Sequence, residues 1–122
     1  MNIADSPQQA ILVRPRIYIG DHISIGPGKV DLLRRIGETR SIAAAARSLE
    51  IPYKRAWLLL DALNQALGRP VVETSSGGKG GGGATLTPLG RQLVICYGAL
   101  EERLNAESTA ELEALRALVA TP

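Results

Sequence analysis

Apolar and polar positions change rhythm several times along the chain, and each change marks an element. Residues 1–10 carry no period and read as a loose arm. The stretch "ILVRPRIYIGDHISI", Ile11 to Ile25, is rich in β-branched residues with Gly20-Asp21 placed as a two-residue turn, which predicts a short hairpin or a bent strand. After Gly26-Pro27-Gly28, Val30, Leu33 and Ile36 return at helical spacing, and Gly37 is expected to end this first helix. Ser41 is suited to cap a second helix, "IAAAARSLE", whose alanines permit close approach by a neighbour. Pro52 opens a third. At 100° per residue, Ala56, Leu60, Leu63 and Leu67 form its core stripe, with Lys54, Leu58, Asp61 and Gln65 nearly opposite.

Gly68 ends the third helix. "VVET" and "ATLT" then read as strands flanking "SSGGKGGGG", so residues 71–87 are expected to form a β-hairpin with a glycine tip. From Pro88, the apolar positions Leu89, Leu93, Cys96 or Tyr97, Leu100 and Leu104 recur every three to four residues. Leu112, Leu115, Leu118 and Val119 continue that character. Ser108 and Glu111 have the spacing of a capping box, so residues 88–122 form one long helix or two abutting ones. The fold class is mainly α with a small β component.

Composition narrows the function. A chain of 122 residues makes one domain with a single modest core. With one cysteine, Cys96, and one histidine, His22, neither an internal disulfide nor a zinc site is available. No apolar run is long enough to span a bilayer and no signal peptide is evident, so a cytoplasmic protein is expected. Neither a nucleophile with a nearby base nor a carboxylate pair is apparent, so an enzyme is not expected and no cofactor is required. Charge is unevenly divided. Residues 29–69 hold eight basic against four acidic side chains, whereas from Glu101 onward there are five acidic against two basic. A basic body commonly meets phosphate, although a solvated helix face has the same signature.

The third helix bears most directly on function. Tyr53, Lys54 and Arg55 crowd its first turn, where a helix entering a major groove presents side chains to base edges and phosphates. Two short helices joined by "SLEI", the second with a basic start, make a helix-turn-helix over residues 41–67. Leu58, apolar on the outer face, is compatible with a thymine methyl contact, with a partner subunit, or with no role. Trp57, to the side of the core stripe, reads as a partly buried packing residue. The hairpin after the helix-turn-helix is then a wing, whose nearly side-chain-free tip lets backbone N–H groups and Lys79 approach phosphates or the minor groove. A Walker-type loop would need Ser or Thr after Lys79 and then a helix; Gly80 and a strand follow instead.

"SIAAAARSLEIPYKRAWLLLDALN", followed by "VVETSSGGKGGGGATLT" and "PLGRQLV", resembles the N-terminal DNA-binding domain of ModE-type molybdate-responsive regulators, relatives of the LysR-type winged helix-turn-helix. The resemblance runs from about Gly28 to Leu104 and is most specific in Ser41, Ile42, Tyr53, Lys54, Ala56, Trp57 and Gly77 through Ala84. It implies a dimeric transcription factor on an inverted-repeat operator, with molybdenum-related genes as candidate targets, recognition helices in successive major grooves and wings on the flanking backbone. The expected DNA-contacting residues are Ser41, Tyr53, Lys54, Arg55 and Leu58, with Ser75, Ser76, Gly78, Lys79 and Gly80 from the wing. Three positions depart from the pattern. Pro52 replaces a serine able to reach phosphate, Thr74 replaces an arginine leading into the wing, and Glu50 replaces a turn glycine. A chain of this length leaves no room for molybdate-binding domains, so direct molybdate binding is not expected.

The tail argues for a homodimer independently of the resemblance. A helix projecting from so small a domain has little core to cover its stripe, and pairing with a second copy contributes roughly 1.5 to 3 kcal/mol per fully buried leucine. The expected pairing residues are Leu93, Tyr97, Leu100, Leu104, Leu112 and Leu115. Folding back on the winged domain is the competing arrangement. Two other functions remain compatible with the residues: a winged-helix protein-interaction module with little DNA affinity, and a small oxyanion-binding protein using the glycine tip as an anion nest.

Overall fold

The computed structural model describes residues 12–76 and 82–119. A hairpin of β1 (Ile17–Ile19) and β2 (Ile23–Ile25) leads into α1 (Pro27–Thr39), α2 (Ile42–Ser48) and α3 (Tyr53–Leu67). A second hairpin of β3 (Val72–Ser75) and β4 (Gly83–Leu86) follows, and then α4 (Pro88–Glu107) and α5 (Thr109–Leu118). Both hairpins are antiparallel two-stranded sheets.

The first helix is the centre of the molecule. Val30, Leu32, Leu33 and Ile36 are all fully buried, because α1 packs against α2, α3, β4 and α4 at once. From α2 come Ile42, Ala45 and Ala46, and from α3 come Ala56, Leu60 and Leu63, so apart from Tyr97 the core consists of aliphatic side chains. The alanines of α2 do what their size allows and let α1 and α3 close on a short helix. Removing a buried leucine such as Leu33 would cost about 2 to 5 kcal/mol.

Several local expectations are corrected. Gly37 lies inside α1, which continues to Thr39 and ends through Arg40 in the left-handed conformation at φ +59°, its N–H donating to the Ile36 carbonyl. The room at Gly37 serves packing instead, since a Cβ there would come within 3.3 Å of the Leu86 side chain. The first hairpin turns over three residues, Gly20 to His22, because Ile19 pairs with Ile23 and Gly20 supplies φ +65°. Pro52 stands at the N-cap of α3, one position before the first helical turn.

The tail is two helices. Ser108 caps neither with its side chain. Its hydroxyl donates back to the Leu104 carbonyl, so the expected capping box with Glu111 does not form. At its other end α4 is firmly held. Thr87 accepts from Gly90 N at 3.1 Å, donates to Pro70 O at 2.8 Å, and its own N–H reaches Val71 O at 3.0 Å. Among the described residues no helix is long and apolar enough to cross a membrane.

Candidate nucleic-acid interface

Ser41 Oγ accepts the Ala44 N–H at 3.0 Å, fixing where α2 begins. The helix ends after two turns, and the chain reverses through Glu50 at φ +57°, with Glu50 N donating to Arg47 O and Ile51 N to Ala46 O, both at 3.0 Å. Ile51 is drawn against the core by this turn and aims α3 outward from it. With Ala56, Leu60 and Leu63 turned inward, Lys54 and Leu58 face away from the core, with Arg55 to one side of them and Tyr53 at the helix start on the side of the wing; all four are exposed, Tyr53 53% and Leu58 55% accessible.

Beside this face stands the wing. Ser75 pairs with Gly83 at the far end of the described ladder, and Ser75 Oγ accepts from Gly83 N at 3.1 Å. The start of β4 is anchored to the body, Ala84 N donating to Arg40 O at 3.0 Å. A cleft runs between the start of α2, the first turns of α3 and the wing, lined by Ser41, Tyr53, Trp57, Thr74, Ser75 and Gly83 among others. Ser76, the residue after Ser75, is exposed. Gly78, Lys79 and Gly80, the expected contacts at the tip, lie outside the described residues.

Two features give this surface its chemical character. Tyr53 and Trp57 meet edge to face, with ring centroids 6.3 Å apart and planes at 80°, so the Tyr53 ring is braced where it projects from the helix start. The cations here are also unpaired. Among the described residues, Arg40, Lys54 and Arg55 have no carboxylate within ion-pair distance, whereas Arg14 and Arg34 are held by Asp31 and Glu101 on the far side. Charges left free beside a hydroxyl-lined cleft suit a polyanion that would neutralise them.

The expected pairing residues divide. Tyr97 is only 2% exposed within its own chain, and its hydroxyl donates to Pro15 O at 2.7 Å, so it is a core residue and not a surface one. Burial holds the Tyr97 phenol above its usual range, and Glu101 acts in the same direction. Leu93 packs on the body and is half-buried, as are Leu104 and Leu112. Leu100 and Leu115 are exposed. On α4 the outward apolar positions are Ile95, Cys96, Ala99 and Leu100, a stripe neighbouring the expected one. Spacing finds both stripes and does not say which faces in.

Two structural contributors gave little sequence signal. Arg40 adopts a backbone conformation usual for glycine and offers its carbonyl to the wing, which nothing in its residue type announces. Asn64, one turn before the end of α3, accepts the Val71 N–H at 2.9 Å and so aligns the chain entering β3.

A three-helix core, a tight turn between its second and third helices and a following two-stranded wing define a winged helix-turn-helix protein. Residues 28–91 match the bacterial regulatory helix-turn-helix proteins of the lysR family, and the chain belongs to that family. It is 51% identical over 77 residues to the molybdenum-pterin-binding protein MopB of Rhodobacter capsulatus, covering 63% of this chain and 28% of that protein. It is 42% identical over 85 residues to the transcriptional regulator ModE of Haemophilus influenzae, covering 70% and 33%. Among solved structures, full-length LysG of Corynebacterium glutamicum with bound effector Arg superposes with a TM-score of 0.56 at 25% identity, covering 78% of this chain and 30% of LysG. The chain thus spans about a third or less of the length of these relatives.

Proposed function

We propose that this protein binds duplex DNA sequence-specifically as a homodimer and regulates transcription from the cytoplasm, with an inverted-repeat operator and molybdenum-related genes as its targets. The observation that carries the reading is the exposed Lys54 and Arg55 at the start of α3, without a carboxylate partner among the described residues and next to the braced Tyr53, which lines the cleft against the wing. Helix α3 enters the major groove by its N-terminal turns, where Lys54 and Arg55 reach guanine edges or phosphates and Leu58 meets a thymine methyl. Ser41 and Ser75 border the same cleft and, with the exposed Ser76 that follows, take the sugar-phosphate backbone.

Pairing uses the outward stripe of Ile95, Ala99 and Leu100 on α4, continued by Leu115 and Leu118 on α5. These two α5 leucines are 59% and 82% exposed in the single chain. The relatives' names, a molybdenum-pterin-binding protein and ModE regulators, support molybdenum-related target genes. The test is the double variant Lys54→Ala/Arg55→Ala, measured on a selected operator and on random duplex. Loss of about 1 to 3 kcal/mol on the operator for a bidentate base contact is expected. Operator affinity equal to the parent's would refute the assignment of α3 as the reading helix.

A further inference from the structure

Residues 13–15 lie along α4 in a regular way that neither the reading surface nor the core requires. Pro15 O accepts from Tyr97 Oη at 2.7 Å. Arg14 Nε stands 3.6 Å from Glu101 Oε2, and its guanidinium also pairs with Asp31. Val13 is gripped at both backbone groups by Asn105, its N–H donating to Oδ1 at 2.8 Å and its carbonyl accepting from Nδ2 at 3.0 Å. Successive residues of the segment thus meet Tyr97, Glu101 and Asn105, one residue to each turn of helix. These three fall on one side of α4, away from Ile95 and Ala99.

The contacts matter because little else holds that part of the helix. Beyond Tyr97 no residue of α4 is buried. A further link to the body is Arg34, whose guanidinium reaches Glu101 Oε1 at 2.9 Å and covers the Tyr97 ring at 5.8 Å. Gly98 opens this stretch, and an interior glycine weakens a helix by about 1 kcal/mol relative to alanine. The ten residues beyond Tyr97 span about 15 Å, so a tilt of about 15° at Tyr97 moves the far end by about 4 Å. That exceeds the roughly 3.4 Å rise of one base pair.

We infer that residues 13–15 form a strap that fixes the direction of α4 on the DNA-reading body and so determines which half-site spacing the dimer accepts, with Asn105 as its principal positioning residue. The inference rests on the proposed pairing through α4. The strap acts from behind the pairing stripe, so it sets the angle between two reading heads without touching DNA or the second copy. Severing it loosens discrimination between spacings while each head still reads its own half-site.

The experiment compares the 122-residue parent with Asn105→Ala on a series of duplexes whose half-sites are separated by the best spacing and by one or two base pairs more or fewer. A single half-site duplex and sedimentation of the free protein accompany it. One inserted base pair rotates the half-sites by about 35°, and the parent is expected to lose about tenfold in affinity for it. The variant should lose about threefold or less, with half-site affinity unchanged and the dimer intact. An unaltered spacing profile in a dimeric, folded variant overturns the inference. A monomeric parent indifferent to spacing overturns the pairing itself, and the strap's role with it. Should Asn105→Ala fail to fold, Arg14→Gln cuts the strap at a more exposed point and is read against the same two outcomes.

Discussion

Gly90 and Gly98 both lie in α4, and substituting each by alanine should shift stability in opposite directions. Helix propensity alone predicts that both variants gain about 1 kcal/mol. At Gly98 nothing opposes that gain, because a Cβ would meet only the end of the Arg34 side chain at 3.4 Å. At Gly90 a Cβ would lie 2.2 Å from the carbonyl oxygen of Val71, which must retreat by about 1 Å or more to reach ordinary contact. That oxygen accepts the Thr87 N–H at 3.0 Å, and Thr87 caps α4, so the retreat disturbs the junction of wing and helix. Weakening the bond costs about 1 kcal/mol and the forced shift about 1 to 3 more. Subtracting the propensity gain leaves Gly90→Ala less stable by about 1 to 3 kcal/mol, while Gly98→Ala gains about 0.5 to 1. Urea unfolding at one fixed protein concentration reads both, since dimerisation makes stability concentration-dependent. A Gly90→Ala protein as stable as the parent would show that the approach of Val71 to α4 has been misjudged.

Further outcomes follow from other sites. Glu50→Gly should stabilise the fold by about 0.5 to 1 kcal/mol, since the left-handed backbone costs a non-glycine residue about 1 to 2 kcal/mol, partly offset by the freedom glycine has when unfolded; thermal melting decides it. Trp57→Leu removes the edge-to-face support of Tyr53 and should weaken operator binding by about 0.5 to 1.5 kcal/mol; unchanged affinity in a titration would make the pair incidental. Tyr97 ionises above its usual value in the fold, so its contribution is intact below about pH 10 and is lost as pH rises through the raised folded value. Unfolding measured between about pH 9 and 12 should show an alkaline loss of stability that Tyr97→Phe lacks. Lys79→Ala should reduce the salt slope of binding by about one unit and weaken all sequences alike.

Elements whose cause is local were legible in the amino-acid order. The stripe of Ala56, Leu60 and Leu63, the Ser41 cap, the stop at Gly68 and the paired strands around the glycine run all express rules that act within one or two turns of chain. What depended on distant neighbours was not. Gly37 reads as a helix stop, yet its missing side chain makes room for Leu86 from β4. Tyr97 and Leu100 stand three residues apart with the same apolar character, yet Tyr97 joins the core, with Pro15 and Arg34 against it, and Leu100 stays exposed. Asn105 looks like any polar residue on a solvated helix until Val13, 92 residues earlier, is placed against it. The basic start of α3 was visible as composition, but that Lys54 and Arg55 lack carboxylate partners while Arg14 and Arg34 have them required the fold.

The most direct test of the central claim is selection of bound duplexes from a random DNA library by the full chain, with the enriched pool titrated at two salt concentrations. Enrichment of an inverted repeat, bound with an affinity that falls steeply as salt rises and that Lys54→Ala/Arg55→Ala reduces, is the predicted result. A pool that stays random, bound only weakly and equally by parent and variant, would contradict the claim that this surface reads DNA sequence.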